Sequence, residues 1–275
     1  MVKGESPSGS MESSGLASHC GHGETGCSIC GAGRGEDLAF TYAYQPIVDL
    51  PARRIFAHEA LIRGTQGESA GSVLSRVNDA NRYSFDQACR VRAIELACDL
   101  DIVNRGEKLS INFLPHAVYR PEVCIQTSLQ IARERGLAVG NVIFEVTEGE
   151  RVDDGPWFAE ILHEYKRQGF LTAIDDFGAG YAGLRLLSDF QPDLIKLDMD
   201  LVRDVDTHPP RQAIARSMIR LAQELRIDLV VEGVETAGER DFFLHHGVRL
   251  FQGYLFSRPI FRGLADARAS VQTGA

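Results

Sequence analysis

The sequence predicts an α/β fold: a modified (βα)8 TIM-type barrel whose first two strands pair antiparallel, preceded by a flexible N-terminal tail. From Phe40 onward, short β-rich runs alternate with amphipathic helical stretches, as in βα units around a parallel sheet. Eight strand candidates fit into about 235 residues, the size of one such barrel. The first 36 residues are rich in glycine and serine and hold few large apolar side chains, which is typical of a flexible tail.

The strand candidates are short apolar runs separated by turn residues. They cover residues 41–48, 55–62, 109–113, 142–146, 171–174, 194–197, 229–231 and 250–252. The first two runs lie too close together for a helical crossover, so we expect them to pair antiparallel. Each later interval has room for a helix, which favours parallel pairing for the remaining strands.

Two of the intervening segments carry apolar residues at helical spacing. One stripe comprises Phe85, Cys89, Ala93, Leu96 and Leu100, and the other comprises Ile214, Met218, Leu221 and Leu225. Stripes of this period form one face of a helix, so we expect both faces to pack on the barrel.

The N-terminal segment is interpreted as a tail over 1–36, followed by a barrel domain over 37–275. Cys20, Cys27 and Cys30 lie close to two histidines, which favours metal binding or redox chemistry. A second Cys-x-x-Cys pair is missing, so exposed thiols on an unstructured tail are the alternative interpretation. The other three cysteines lie among apolar residues and are expected to be small core side chains.

Charge and hydropathy exclude some classes of function. The formal net charge is −9, from 29 Lys+Arg and 38 Asp+Glu, which argues against binding to duplex nucleic acid. No run of about 18 apolar residues occurs, so membrane insertion is not expected. We therefore expect a cytoplasmic protein, in which a small anionic ligand would need a local concentration of cations.

Acidic and amide side chains recur within or directly after the strand candidates. They are Glu59, Asn112, Glu145, Asp175, Asp176 and Glu232. Residues near the carboxyl ends of parallel barrel strands converge on one rim, so these six could meet. Such oxygen ligands suit Mg²⁺ or Mn²⁺, and their number indicates two ions sharing a bridging aspartate. The alternative is that each acid caps a helix or lies in solvent.

Two of the charges stand inside runs that look buried. Glu145 lies between Phe144 and Val146, and Lys196 lies between Ile195 and Leu197, so both need partners. Lys196 could meet the carboxylates at the rim and orient a water or a phosphate oxygen. Structural ion pairing within the barrel is the alternative.

Several short motifs, in this order along residues 40 to 260, resemble the EAL-domain family. They are Tyr44-Gln45-Pro46-Ile47-Val48, Glu59-Ala60-Leu61-Ile62-Arg63, Asn112, Phe144-Glu145-Val146-Thr147-Glu148, Asp175-Asp176-Phe177-Gly178-Ala179-Gly180-Tyr181, Lys196-Leu197-Asp198, Glu232-Gly233-Val234-Glu235-Thr236 and Gln252-Gly253-Tyr254. The resemblance implies a modified barrel that hydrolyses cyclic di-GMP to linear pGpG with two Mg²⁺ or Mn²⁺ ions.

The resemblance also implies roles for individual residues. One ion would be held by Glu59, Asn112, Glu145 and Asp175, and the second by Asp175, Asp176 and Glu232. The catalytic residues would be Glu59, Lys196 and Glu232, with Lys196 contacting the attacking water. The substrate-binding residues would be Gln45, Arg63, Asp198, Gln252 and Pro259.

Regulation is implied as well. Glu148 would hold the glycine-rich loop 177–183, Glu235 would act with it in loop control, and that loop would connect the site to a homodimer interface. The alternative to an enzyme is a catalytically silent cyclic di-GMP receptor that works through loop and dimer rearrangement. We expect any upstream signal to act through the tail, through oligomerisation or through a separate regulatory partner.

Overall fold

The computed structural model describes residues 39–147, 155–180, 183–267 and 270 of the chain. The predicted tail lies outside these residues, together with its Cys20, Cys27 and Cys30 cluster, so the division at residue 36 stays a prediction. No helix among the described residues has the length and apolarity needed to cross a bilayer.

Nine strands occur in the described residues. They are β1 (Phe40–Asp49), β2 (Arg54–Gly64), β3 (Lys108–Asn112), β4 (Val142–Thr147), β5 (Leu171–Phe177), β6 (Leu194–Leu197), β7 (Asp228–Val231), β8 (Leu250–Phe251) and β9 (Ile260–Phe261). All eight predicted strands are present. The ninth was not predicted, because it has only two residues and both are exposed.

The strands close into a barrel through β1. The hydrogen-bonded order is β2-β3-β4-β5-β6-β7-β8-β1, and β1 also pairs with β2. As predicted, β1 runs antiparallel to β2; it is also antiparallel to β8, and all pairs from β2 to β8 are parallel. The short β9 adds to the other half of β1, at Ala43 and Tyr44. The predicted modified barrel is therefore confirmed.

Helices pack around the strands. They are α1 (Ala70–Leu74), α2 (Arg82–Asp99), α3 (Ile102–Arg105), α4 (Pro121–Cys124), α5 (Gln126–Glu134), α6 (Gly155–Arg167), α7 (Gly183–Asp189), α8 (Met199–Val202), α9 (Pro209–Leu225) and α10 (Ala237–His245). The predicted stripe on α2 is confirmed, since Phe85, Cys89 and Ala93 are buried. Of the remaining cysteines, Cys124 is also buried, whereas Cys98 is half-buried.

The predicted stripe on α9 is only partly right. Ile214 is 42% exposed, and the fully buried face is formed by Ala215, Ile219 and Ala222 instead. Two of these three are alanines, which let the helix approach the barrel closely. The larger predicted residues Met218, Leu221 and Leu225 flank that face, half-buried.

The half of the barrel interior nearer the amino ends of the parallel strands is apolar. One residue from each of several strands forms this layer, and its members include Ile47, Ala57, Ile143, Ala173, Leu194, Val230 and Leu250. Because side chains alternate between the two faces of a strand, the next inward position lies two residues further along. The side chains at that next position form the following layer of the barrel interior, towards the carboxyl ends of the parallel strands.

Candidate active site

A layer of polar side chains lies one inward position beyond the apolar layer, towards the carboxyl ends of the parallel strands; on the antiparallel β1 this position comes earlier in the chain. Its members are Gln45, Glu59, Glu145, Asp175, Lys196, Glu232 and Gln252, each two residues from an apolar partner below it. The alternation of the strands thus brings together residues from position 45 to position 252 of the chain. The carboxylates and the lysine predicted to converge on this rim do so.

Lys196 occupies the centre of this layer. Its ammonium Nζ lies 3.2 Å from Glu59 Oε2, 2.9 Å from Glu145 Oε2, 2.9 Å from Asp175 Oδ1 and 2.7 Å from Glu232 Oε1. Lys196 and Glu145 are each 1% exposed. Glu145 and Lys196, the two buried residues that needed partners, are therefore paired with each other. They belong to a cluster in which four acidic side chains surround one ammonium group.

Burial dominates the electrostatics of the cluster. It raises the pKa of Glu145 to about 8, with Lys196 opposing the shift and the neighbouring carboxylates adding to it. It likewise holds the pKa of Glu232 well above its usual value. Burial alone would lower the pKa of Lys196, but the four carboxylates outweigh it and hold that pKa well above normal. The lysine therefore carries its charge at neutral pH.

Hydrogen bonds fix the orientation of two of these carboxylates. Glu59 accepts from Asn112 Nδ2 at 3.1 Å and from Gln252 Nε2 at 2.7 Å. Glu145 accepts from the hydroxyl of Ser110, which sequence reasoning missed although it stands two residues before Asn112. Since the amide nitrogen of Asn112 faces Glu59, its oxygen is the atom left for a cation.

The carboxylate oxygens form two overlapping groups that could each hold a metal ion. Glu59, Glu145 and Asp175 make the first group, and Asp175, Asp176 and Glu232 make the second, with oxygens within 4.8 Å of one another in each. Asp175 belongs to both. All donors are hard oxygen atoms, as Mg²⁺ and Mn²⁺ prefer, so the residues present fit a pair of divalent ions.

A bulge in β5 explains how two consecutive aspartates reach one site. The register between β5 and β6 shifts between Ile174 and Phe177, and Asp176 has φ +52°. In a regular strand, neighbouring side chains point to opposite faces, whereas a bulge can redirect one of them. The sequence predicted that the strand would end at residue 174; it continues through both aspartates to residue 177. Burial, followed by Asp175 and Asp198, raises the pKa of Asp176 to about 6.

A cleft of about 290 Å³ opens above the cluster. Gln45 and Asp198, both predicted to bind substrate, line it together with Tyr254 and Met199. Gln45 donates to the carbonyl of Ser257 at 3.2 Å. Asp198 caps α8, accepting from the Asp200 N–H at 2.8 Å, so one of its oxygens has a structural role.

Two predicted substrate-binding residues do not line this cleft. Arg63 donates to the Ile62 carbonyl at 2.7 Å and borders a second, mainly apolar cavity of about 300 Å³, which Asn112 also lines. Pro259 is half-buried in the segment before β9 and lines neither cavity.

Of the two residues predicted for loop control, one lies within the described residues. Glu148 lies outside the described residues. Glu235 lines the cleft and pairs with Arg203 Nη1 at 3.0 Å. Sequence reasoning missed Glu239, which is 1% exposed and accepts from the N–H groups of Asp204, Glu235 and Thr236. Its Thr-x-x-Glu spacing is a capping-box signal that could have revealed it.

Comparison with known proteins adds a family. The model of the EAL domain family matches residues 35–259. Among curated relatives, the chain is 34% identical over 224 residues to the blue light- and temperature-regulated antirepressor BluF of Escherichia coli K12, covering 81% of this chain and 55% of BluF. It is 34% identical over 166 residues to the cyclic di-GMP phosphodiesterase RocR of Pseudomonas aeruginosa PAO1, covering 60% of this chain and 42% of RocR. The chain thus spans about half the length of these relatives.

Solved structures resemble the barrel closely. A standalone versatile EAL protein from Vibrio cholerae O395, in its c-di-GMP-bound form, superposes with a TM-score of 0.80 at 48% identity, covering 84% of this chain and 96% of that one. BlrP1 from Klebsiella pneumoniae, as a manganese and cyclic di-GMP complex, superposes with a TM-score of 0.76 at 39% identity, covering 82% of this chain and 57% of that one.

Proposed function

Because the chain belongs to the EAL domain family, we propose that it is a metal-dependent phosphodiesterase that hydrolyses cyclic di-GMP to linear pGpG. The observation that carries the proposal is the pair of overlapping carboxylate groups that share Asp175. Two adjoining sites for divalent cations suit an in-line attack on a phosphodiester. A similar protein named as a cyclic di-GMP phosphodiesterase supports the choice of substrate.

The residues that would hold the ions follow from the two groups. Glu59, Asn112, Glu145 and Asp175 would hold one ion, and Asp175, Asp176 and Glu232 would hold the other. Mg²⁺ or Mn²⁺ would supply an activated water and offset the negative charge of the phosphate. The manganese complex of a similar barrel supports a divalent cation here.

Lys196 supplies the positive charge that belongs to the chain itself. Its ammonium contacts carboxylates of both groups, so it stands between the positions proposed for the two ions. A charged amine there can orient the attacking water by hydrogen bonding and stabilise negative charge on a phosphate oxygen. Gln252 lies beside Glu59 and donates a hydrogen bond to it. The Oε1 of Gln252 is buried without a hydrogen-bond partner among the described residues, so it is open to a ligand.

The rest of the ligand would lie along the cleft. Gln45 and Asp198 line the cleft and offer hydrogen-bonding groups for sugar or base. Arg63 would grip a phosphate oxygen at the boundary with the second cavity, whose apolar walls suit a purine ring. Pro259 would contact the substrate from the segment between the cleft residue Tyr254 and β9.

Assembly and location are also proposals. A homodimer would form beside α7, where Leu184 is 62% exposed next to the loop that follows Asp176. Light scattering on the purified chain would measure its mass. A cytoplasmic location and a separate regulatory partner remain predictions from the sequence, as does the loop role of Glu148.

The deciding experiment is turnover of cyclic di-GMP by the purified chain with Mg²⁺ or Mn²⁺, with pGpG resolved by chromatography. Asp175→Asn should abolish hydrolysis, because it weakens both proposed ion sites at once. Asp241→Asn makes the same chemical change on the exposed face of α10 and should leave turnover unchanged. Equal turnover by the wild type and Asp175→Asn would refute the mechanism.

A receptor without turnover is the second candidate, and one observation favours it. BluF, whose match covers 81% of this chain and 55% of BluF, is named as an antirepressor rather than as an enzyme. A receptor would bind cyclic di-GMP and leave it intact with either metal. Binding without pGpG formation would therefore select this alternative.

A further inference from the structure

The largest fully buried side chain among the described residues belongs to Arg90, outside the cleft. It lies on α2 one turn after Asp86, and Arg90 Nη2 is 2.7 Å from Asp86 Oδ2. Arg90 is 0% exposed and Asp86 2%. An i,i+4 pair of this kind usually stands in solvent, where it stabilises a helix only slightly. Here it is enclosed.

Aromatic rings enclose the guanidinium. Its Cζ lies 5.2 Å from the ring centroid of Phe113, 5.2 Å from that of Phe144 and 5.4 Å from that of Tyr165. Arg90 Nη1 also donates to the Tyr165 hydroxyl at 2.6 Å. The cation is therefore held by one carboxylate, one hydroxyl and three ring faces, without water exposure.

Such an arrangement is costly to build. Burial by itself would lower the pKa of Arg90, but Asp86 and Tyr165 outweigh it and raise that pKa, so the charge persists. Apolar side chains of similar volume often stabilise a core as well as a buried ion pair does. The stability of the core alone therefore gives little reason for a charge here, whereas the contacts of the pair do give one.

The carboxylate of the pair holds the chain directly after β3. Asp86 Oδ1 accepts from the Leu114 N–H at 2.9 Å, two residues beyond Asn112. Phe113, whose ring covers the guanidinium, is the residue between them. The pair therefore fixes both the backbone and the side chain that follow Asn112.

The guanidinium holds β4 in the same way. Phe144 covers it, and Glu145 is the next residue. Successive side chains of a strand point to opposite faces, so Glu145 points into the barrel while Phe144 points out to Arg90. Asn112 and Glu145 are direct partners in the β3–β4 register, and the Phe113 N–H donates to the Glu145 carbonyl at 3.1 Å. The buried cation thus stands behind two neighbouring candidate ligands.

We propose that the buried Arg90–Asp86 pair, with Tyr165, is a positioning device that fixes Asn112 and Glu145 for one divalent ion. This rests on the proposed function, because Asn112 and Glu145 belong to the first of the two ion sites. Among the described residues, no hydrogen bond or ion pair joins Arg90 or Asp86 to the second site, which Asp175, Asp176 and Glu232 make. The device should therefore act on one ion and spare the other.

The test is the binding of Mn²⁺ to the full chain without cyclic di-GMP, followed by calorimetry and electron paramagnetic resonance. Tyr165→Phe keeps the ring and removes only the hydroxyl that accepts from Arg90. We expect one Mn²⁺ site to weaken about tenfold, as for other groups that orient metal ligands, while the other keeps its affinity. The Mn²⁺ concentration that gives the half-maximal rate of hydrolysis should rise, while kcat at saturating Mn²⁺ stays the same.

Tyr44→Phe is the matched control. It makes the same change at another buried tyrosine, whose hydroxyl donates at 3.1 Å to the Ala93 carbonyl of α2 instead of accepting from Arg90. Its Mn²⁺ affinity should equal that of the wild type. Asp86→Asn is the second test variant; it keeps the shape of the side chain but removes the charge, and it should weaken the same single site by at least as much.

The possible outcomes distinguish a failure of the positioning role from a failure of the proposed phosphodiesterase function. Unchanged Mn²⁺ affinity in Tyr165→Phe and Asp86→Asn, or equal weakening of both sites, would overturn the positioning role. A wild type that binds two Mn²⁺ ions without turnover would refute the phosphodiesterase alone, and the variants would still judge the device by binding. A wild type that binds no Mn²⁺ would overturn both.

Discussion

Lys196 explains how so many carboxylates can share one buried site. Four of them point at its ammonium from 2.7 to 3.2 Å, and the lysine is 1% exposed. An unpaired carboxylate at that depth would be strongly disfavoured, so the cation makes the cluster compatible with folding. An entering metal ion must compete with Lys196 for the same oxygens. The lysine thus stabilises the cluster and also lowers its affinity for metal.

Metal affinity should rise with pH, because the carboxylates must lose protons before they bind an ion. Glu145 has a pKa of about 8 and Asp176 one of about 6. We expect the affinity for Mn²⁺ to increase between about pH 6 and 8, with protons released on binding. Calorimetry at about pH 6, 7 and 8, in buffers of different ionisation enthalpy, measures both the affinity and the protons.

The stability of the metal-free protein should change in the opposite direction. A folded-state pKa raised above the unfolded value of 4.5 for Glu145 means that the folded protein holds the extra proton. That contribution to stability is fully present below 4.5 and is lost as the pH rises through about 8. Thermal unfolding in EDTA should therefore show a declining midpoint over this range, and added Mn²⁺ should reverse it. A pH-independent affinity for Mn²⁺ would contradict the assignment of Glu145 as a ligand.

Not every residue of the site could be foreseen from the sequence. The acids at strand ends were visible because a charge inside an apolar run requires a partner, as Glu145 and Lys196 do. Asp86 and Arg90 gave no such warning, since an i,i+4 pair on a helix resembles a solvated one. Their burial depends on Phe144 and Tyr165, which lie far away in the sequence and meet them only in the fold.

At the scale of elements, short apolar runs separated by turn residues predicted the eight barrel strands, because a strand of a helix-covered barrel is buried along most of its length. β9 carried no such signal, as it has two exposed residues and depends on β1 for its pairing. The bulge in β5 was equally invisible, because a register shift belongs to a pair of strands. On α9, the buried face is set by how closely Ala215 and Ala222 allow the helix to approach.

The loops after β7 and β8 meet at a glycine with no room for a side chain. A Cβ at Gly253 would lie 2.1 Å from the Val234 carbonyl oxygen and 2.4 Å from its nitrogen. The Val234 N–H in turn donates to the Gln252 carbonyl at 3.1 Å. Any side chain at position 253 would push apart the loops that carry Glu232 and Gln252.

Gly253→Ala should therefore disturb both the fold and the site. We expect it to lower the free energy of unfolding by roughly 2 to 4 kcal/mol, since backbone atoms must move, and to reduce hydrolysis more than tenfold. Gly247→Ala is the matched control: its φ is +84° but nothing lies within 4 Å of the new Cβ, so only about 1 kcal/mol should be lost. Urea unfolding and turnover measure the two effects. Equal losses in the two variants would show that backbone conformation matters more than the contact with Val234.

The charge of the whole molecule sets the conditions for binding an anionic dinucleotide. The chain carries a net charge of −9. The cleft concentrates that charge. Among the described residues that line it, Lys196 is the one lysine or arginine, beside the six acidic side chains of Glu59, Asp175, Asp176, Asp198, Glu232 and Glu235. Cyclic di-GMP carries two phosphodiester charges of the same sign. Without divalent ions, repulsion should oppose its approach, over distances that salt screens.

Binding of cyclic di-GMP in EDTA should therefore strengthen when NaCl is raised from about 20 to about 300 mM, because screening relieves the repulsion. With Ca²⁺ in place of EDTA the affinity should be higher, and the same increase in salt should leave it unchanged or weaken it, since bound cations reverse the local field. Calorimetric titrations of the wild type under the four conditions test this. If the metal-free protein bound more tightly at low salt, Arg63 and other cations outside the cleft would outweigh its carboxylates. The dinucleotide could then enter before any metal ion.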